Sequence, residues 1–552
     1  MFIKVTKSKG IEYLNIAEGY RDNGKVKHRN ITGLGRLDSL IESGSLEIMA
    51  AKLLALAGAS NTSSFPGNIS EGELYNYGYL AYKHIWDKLK LNTLFSAIGK
   101  EHDRLQYDLN NVSFLTIIQR LLDPKSKKAT YEGQSFYWGM PAVKLETIYR
   151  SLEILSDNKE RIEAHIFEKT KNMRGSLDII FYDVTTFAFQ SVTQDAIRDF
   201  GFSKDQKFNE VQVVLGLFID KEGFPLGYDL FPGNTYDGKT LVPVLNRLKE
   251  KFNIRKVIIV ADRGINSKMN LHEIKKAGYE YIVAAKLKSM NQAVKKSLFD
   301  ETGYKDISSG NEVLKIKSID YDNSIKLDDG STVTLKEKLV FSFSSKRATK
   351  DAADRERLIN KAEKLLETPA IISQNLKRGG RKYIKVLKKE DTKNYVLDEK
   401  LIDNNSIYDG YYGIQCSDSE IKEEDIFSAY HSLVTIEDCF RTMKSTLEAR
   451  PVFHWSAKRV KGHFVSCYIA FLMGKVLEIS LRKKGKPASA RQIMESISKA
   501  VVCSFDVSGK QYYLKCKTDE TAENIFSVTD VKKLPNLMTE KSLNQQLRLN
   551  VV

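Results

Sequence analysis

Apolar and polar residues alternate along this chain with two different periods, and the places where the period changes divide it. Phe2-Ile3-Lys4-Val5, Tyr13-Leu14-Asn15-Ile16 and Lys27-His28-Arg29-Asn30-Ile31 are short alternating pieces, separated by Gly10 and by Asp22-Asn23-Gly24. Alternation punctuated in this way predicts a small β-meander over residues 1–60. A polar stretch, Asn61-Thr62-Ser63-Ser64, leads into residues 61–175, where the spacing is helical. Leu115, Ile118, Leu121 and Leu122 share one helical face there, Asp123-Pro124 ends that helix, and a second helix is predicted from Leu145 to Leu155. Lys125, Lys127 and Lys128 lie between the two, so this helical domain is a candidate for DNA binding.

From residue 176 the pattern becomes a series of apolar runs. Leu177 to Asp183 reads as a strand ending in a carboxylate, and Val211 to Ile219 as a second strand. Asp220-Lys221-Glu222-Gly223 reads as a hairpin turn, and Phe224 to Phe231 as a third strand. A helix from Lys239 to Phe252, capped by Asp237, precedes a fourth strand, Lys256 to Asp262, again closed by aspartate. The order β, β, β, α, β predicts an α/β core with a ribonuclease-H-like mixed sheet flanked by helices. Its first part spans residues 176–290 and its second part residues 426–485.

Residues 291–425 interrupt this core as a β-rich insertion. Strand pieces at Val313–Ile319, Val333–Leu335 and Leu339–Phe343 precede a charged helix from Lys346 to about Leu366. A basic patch follows, with Lys377, Arg378, Arg381 and Lys382 around Gly379-Gly380 and Tyr383 among them, a composition suited to phosphate and base contacts. Beyond it, Tyr430 to Lys444 reads as one amphipathic helix burying Ile436, Phe440, Met443 and Leu447. The apolar run from Val465 to Leu481 is broken by Lys475 and Glu478, so it is expected to be a buried core helix rather than a membrane span. Residues 486–552 read as a tail of mixed helix and strands.

Composition sharpens this picture. A chain of 552 residues is too long for one core. Its 86 Lys and Arg against 70 Asp and Glu, a formal charge of +16, point to a polyanionic partner, most simply nucleic acid. The 5 cysteines form no CxxC and no Cys/His pairing, which argues against zinc and for a reducing compartment. The N-terminus lacks the design of a signal peptide, so a cytoplasmic location is expected. There is no phosphate-binding G-x-x-x-x-G-K-[ST] loop, no G-x-S-x-G and no H-E-x-x-H, which leaves no sign of a nucleotide cofactor, a serine elbow or a zincin. What remains is carboxylates. Asp183 and Asp262 at strand ends, with Glu437 or its neighbour Asp438 on a helix beside them, are the donor types of a two-metal phosphodiester site. Hard oxygen ligands select Mg2+, for which Mn2+ can substitute.

Three blocks carry a family resemblance: Phe181-Tyr182-Asp183-Val184-Thr185-Thr186, Val260-Ala261-Asp262-Arg263-Gly264, and Ile436-Glu437-Asp438-Cys439-Phe440-Arg441-Thr442-Met443-Lys444. Together they resemble bacterial insertion-sequence DDE transposases of the subgroup with a Y-x2-R-x3-E-x6-K signature and a β-insertion between the second Asp and the Glu. Tyr430, Glu437 and Lys444 match the signature, whereas Leu433 stands where it has arginine. The resemblance implies strand cleavage and strand transfer at the ends of a mobile element, with Asp183, Asp262 and Glu437 as catalytic metal ligands. It further implies that Tyr430 and Lys444 grip double-stranded DNA, and that the protein works as a homodimer on paired ends. Arg441 and His431 are the nearby residues that would take over the missing arginine contact. Relatives pass through a hairpin intermediate and stack a flipped base on their insertion; this insertion has no Trp, so a Tyr or Phe would fill that role. Two other readings fit the same residues: a domesticated, non-catalytic DNA-binding protein, and a ribonuclease-H-like nuclease without strand transfer.

Overall fold

A computed structural model describes the chain apart from residues 23–24, 58–71, 104, 175–176, 202–208, 236–238, 242, 244, 246–257, 309–311, 328, 368–378, 390–391, 451, 453, 455, 508–509 and 548–552. The helix expected from Lys239 to Phe252 and its cap Asp237 therefore lie largely outside the described residues, as do Lys377 and Arg378.

The N-terminal meander is present. Strands β1 (Phe2–Ser8), β2 (Ile11–Asp22) and β3 (Lys25–Arg36) form an antiparallel sheet in that order, followed by helices α1 (Leu37–Glu42) and α2 (Ser45–Leu56). After β4 (Leu74–Asn76) come the helices expected around the basic turn: α3 (Leu109–Leu122), the short α4 (Lys127–Glu132) and α5 (Leu145–Asp157). Asp108 caps α3 by accepting the N–H groups of Asn110 and Asn111, and the helix stops at Asp123 before Pro124. Every residue from Val112 to Leu122 is buried. A helix enclosed along its last three turns has no face left for a DNA groove, so α3 is a core element and not half of a groove-reading pair.

The central sheet has nine strands in the order β10-β11-β12-β15-β9-β8-β5-β6-β7. Its first-part strands are β5 (Ile179–Ala188), β6 (Gln212–Asp220), β7 (Pro225–Pro232), β8 (Ile258–Ala261) and β9 (Glu280–Ala284), with helix α6 (Lys268–Lys276) between the last two. β8 runs parallel to both β5 and β9, while β6 is antiparallel to β5 and β7. The carboxyl oxygen of Asp220 accepts the N–H groups of Glu222 and Phe224 at 2.9 Å each and closes the predicted hairpin. One expectation needs correction. β5 does not end at Asp183 but continues to Ala188, because β6 goes on pairing with it after β8 has stopped at Ala261.

The insertion is not a separate β body. Its strands β10 (Lys305–Asp306), β11 (Leu314–Lys326) and β12 (Thr332–Ser344) extend the same sheet through β15 (Tyr411–Cys416), which pairs with β9 at Ile414↔Ala284. Without β15 the outer edge of β9 would present unpaired backbone groups. Only the hairpin of β13 (Ile384–Lys389) and β14 (Thr392–Leu397) stands apart, packed through Tyr383 and Ile384 with helix α7 (Ser345–Leu366). The three strand pieces expected here are in fact two long strands, since charged residues on a two-strand ribbon do not interrupt its pairing.

Alternation along β5 and β6 sends residues to two cores. Phe181, Phe187, Leu215 and Leu217 join the larger core, and Ile180, Tyr182, Val184 and Phe218 join the one completed by Leu271 and Ile274 of α6. Helices α8 (Glu423–His431), α9 (Val434–Arg441) and α10 (Ala457–Lys483) follow the insertion, and α10 packs along α3 and α5. By length and composition α10 could cross a membrane. Its residues from Gly462 to Met473 are all buried, and Lys475 pairs with Glu478 at 2.6 Å, so it serves as the expected core helix. The C-terminal residues are less of a tail than expected. β16 (Val501–Val507), β17 (Lys510–Lys515) and β18 (Leu537–Thr539) form one sheet with β4, tying the end of the chain to the start of the helical region.

Candidate active site

The positions of the two aspartates follow from strand register. β5 and β8 pair in parallel at Phe181↔Val260 and Tyr182↔Ala261, so the next step along both strands is Asp183 beside Asp262. Parallel neighbours at the same level project to the same face. Phe181 and Val260, two residues earlier, both belong to the larger core, which also holds Ile436 and Phe440 of α9. The two carboxylates therefore lie on the face that α9 covers. Asp183 Oδ1 accepts the N–H of Val184, and Asp262 Oδ1 accepts the N–H of Gly264, each at 2.7 Å. The second of these bonds shapes the turn that ends β8.

The segment from Tyr430 to Lys444 is not the single helix that its periodicity predicts. α8 ends at His431 and α9 begins at Val434. Between them, the N–H groups of Leu433, Thr435 and Ile436 bond three residues back, to Tyr430, Ser432 and Leu433. These tighter turns change the direction in which Tyr430 projects relative to Glu437. A π-helical turn, Thr442–Thr446, then carries Lys444. Ile436, Phe440, Met443 and Leu447 are buried as expected. The position of α9 along the sheet is set by the β6–β7 hairpin. Gly223 at φ 82 brings its backbone so close that an added Cβ would stand 2.9 Å from Thr435. Glu437 is exposed on the other side of α9, while Asp438 pairs with Arg441 at 2.8 Å.

Asp183, Asp262 and Glu437 line one open cleft of about 580 Å³, together with Arg347, Tyr412, Tyr430 and Leu433. A neighbouring cleft of about 910 Å³ shares Asp262, Glu437, Arg347, Tyr412 and Tyr430 and adds Arg263, Lys288, Arg355 and Lys382. The acids thus share a groove with cations from both the insertion (Arg347, Arg355, Lys382) and the segment before it (Arg263, Lys288). Among the described residues no three Asp, Glu, His or Cys side chains are gathered closely enough to ligate an ion. Three carboxylates in one open cleft are the donor set that a hard cation takes, but the protein alone does not draw them together. Mutual repulsion of clustered carboxylates opposes that approach until a cation is present.

Other expected residues are distributed differently. Tyr430 lines both clefts, and its hydroxyl lies 2.6 Å from that of Tyr412. Burial, then Tyr412, raises the Tyr430 phenol far above its ordinary range, with Asp262 adding to the shift. Lys444 lies 5.6 Å over the ring of Phe187, which is on the same face of β5 as Asp183. Lys382 lines the second cleft and stacks on Tyr383, whereas Arg381 lies beside it in the turn Gly379–Tyr383 and is not part of the lining. Arg441 is engaged with Asp438 and lines neither cleft, while His431 lines the first and donates through Nδ1 to the Phe427 carbonyl at 2.9 Å. In the helical region, Lys125 pairs with Asp123 and Lys128 with Glu132, while Lys127 is only 4% exposed. Lys127 is thus an interior residue and not a surface contact.

Several cleft residues were not singled out from sequence, Tyr412 and Arg347 foremost among them. Tyr412 belongs to β15, where it pairs with Ser342 of β12, and both line the first cleft. Arg347 stands in the first turn of α7, capped by Ser344; its guanidinium lies 4.4 Å over the ring of Tyr412 and 3.4 Å from Asp351. No local pattern marks either of them, because they reach the acids only through the pairing of β12 with β15.

Comparison with known proteins gives two family matches. A model described as the transposase DDE domain matches residues 174–473, and one described as the N-terminal domain of IS1634 family transposases matches residues 3–62. Among solved structures, the cryo-EM structure of the piggyBac transposase synaptic complex with hairpin DNA is similar at 9% identity and a TM-score of 0.38, over 78% of this chain and 82% of that one. No curated protein matches.

Proposed function

Because the chain belongs to the transposase DDE domain family, whose members generally use divalent metals, we propose that it cuts and joins DNA at the ends of its own insertion sequence, with Asp183, Asp262 and Glu437 as ligands of Mg2+. The observation that carries this reading is the adjacency of Asp183 and Asp262 on parallel strands, with Glu437 lining the same cleft. The strand order β7-β6-β5-β8-β9 supports a ribonuclease-H-like core for it. When bound, the ions supply activation of a water or a 3′-hydroxyl and neutralise charge on the leaving oxygen. The residues of the chain do the positioning. Asp183 and Asp262 hold their places through backbone N–H bonds, and Glu437 completes the donor set from α9.

The phosphate beside the scissile bond is gripped by Tyr430 and Lys444 and, in place of the arginine absent at Leu433, by Arg347. Leu433 is only 9% exposed and lines the same cleft as Arg347, so the wall that lacks a cation at one position has one from α7 at another. A planar guanidinium held over Tyr412 is suited to two parallel bonds to phosphate oxygens. The cations of the second cleft extend this grip along double-stranded DNA, with a second copy of the chain bound to the paired end. A cytoplasmic, nucleoid-associated location goes with this reading.

The test is strand cleavage on duplexes bearing the terminal inverted repeats of the element, in Mg2+ or Mn2+. Asp183→Asn, Asp262→Asn and Glu437→Gln are each expected to abolish cleavage while end binding persists. Undiminished cleavage by one of them removes that residue from the ligand set. Specific binding without any nicking by the unaltered protein assigns it instead as a domesticated binding protein, and nicking without joining assigns it as a nuclease.

A further inference from the structure

Away from the cleft, a pocket of about 120 Å³ lies between α4 and the loop that precedes α10. Arg120, Lys125, Lys127, Arg450, His454 and His463 line it, with Glu448 as the one carboxylate. We propose that this pocket binds a single phosphate group, with the Lys127 ammonium as its principal contact.

Lys127 is 96% buried, lines the pocket, and has no hydrogen-bond or ion-pair partner among the described residues. Burial without a counter-charge disfavours the charged form of a lysine, and an anion in the pocket restores it. Glu448 does not do so, because its side chain is exposed and makes no ion pair among the described residues. The neighbours add positive potential. Arg120 donates to the carbonyls of Leu447, Glu448 and Lys125 at 3.2, 2.9 and 3.3 Å, which fixes its charge beside Lys127. Burial, then Arg120, lowers Lys127 to about 7, so an arriving oxyanion meets a lysine that takes up its proton on binding.

Size and charge together set the class of ligand: about 120 Å³ lined by Arg120, Lys127 and Arg450 suits a compact oxyanion. The shared chemistry is a phosphate group, whose source is either the DNA backbone or free inorganic phosphate. Through Arg120, the pocket is fastened to the end of the segment that carries Glu437 and Lys444. The phosphate site does not depend on the function proposed above.

Thermal unfolding of the full chain in sodium phosphate, against sodium chloride at equal ionic strength, tests it. The unaltered protein is expected to gain stability with a saturating dependence on phosphate. Lys127→Met should lose the response, and its Tm in chloride reports that it folds, since Met fills the same buried space without a group that is costly to charge there. Arg450→Met, at the same pocket, is expected to raise the half-effect concentration several-fold. No phosphate response, or an equal response in K127M, overturns the proposal. A second arm measures binding of duplex DNA at fixed ionic strength as chloride is replaced by phosphate. Competition that disappears in K127M identifies a backbone phosphate as the occupant, and stabilisation without competition identifies the free ion. Each of these supports the site. A failure of the cleavage tests above would leave these readouts unaffected.

Discussion

The hydroxyls of Tyr412 and Tyr430 lie 2.6 Å apart, joining the return strand of the insertion to the end of α8 beside Asp262. Their rings are 5.5 Å apart, and Arg347 covers the far partner. This contact ties the insertion to α8 at the point where the two clefts meet.

Tyr430→Phe and Tyr412→Phe each remove that bond. Each is expected to cost about 1 kcal/mol of stability, and the double variant scarcely more than either single one. A double-mutant cycle from urea unfolding checks this. If Tyr430 also contacts DNA, Y430F alone should slow cleavage, by about tenfold for a loss of about 1.4 kcal/mol in the transition state.

Arg347 and Leu433 are expected to be exchangeable as sources of charge. Arg347→Ala should reduce cleavage by about 10- to 100-fold, the range expected when one charged phosphate contact worth about 1.5–3 kcal/mol is lost. Adding Leu433→Arg to that variant should recover part of the rate. Unchanged cleavage by R347A would show that this arginine does not serve the phosphate, with the carboxylate assignment untouched.

Metal binding has a readout apart from activity. Three carboxylates that face one cleft and repel each other should be stabilised by Mg2+ or Mn2+, so the Tm of the unaltered protein should rise with either ion. Asp183→Asn should raise the Tm in metal-free buffer and lose most of the response to the ion. A response of equal size in D183N would place the bound ion elsewhere.

The interior histidines predict acid sensitivity. Burial, then Lys127 and Arg120, lowers His454 from its ordinary 6.5 to about 3. Between those values the unfolded chain binds a proton that the folded chain does not, so stability falls as pH drops through that window and is fully retained above it. His454→Phe should flatten the dependence of the unfolding midpoint on pH between about 3 and 6.5, measured by thermal scans.

Much of this protein was determined by the sequence alone. Apolar runs closed by Asp183 and Asp262 located two strands of the core, and Asp220 with Gly223 specified the hairpin between two others. Helical spacing named the buried face of α9, and Asp123-Pro124 ended α3 where expected. These features rest on local chemistry: period, capping and turn residues act within a few positions of each other. What only the tertiary structure decided involves residues far apart in the chain. The pairing of β15 with β9 merged the insertion into the sheet and brought Arg347 and Tyr412 to the acids, and backbone bonds between distant strands leave no local pattern. The tight turns at Leu433 and the π turn at Lys444 divided what periodicity reads as one helix. Lys127 was the clearest reversal. A lysine after a helix end reads as surface, and it is the packing of α10 and the loop before it that encloses it. Burial depends on what else folds over a position, and no local period encodes that.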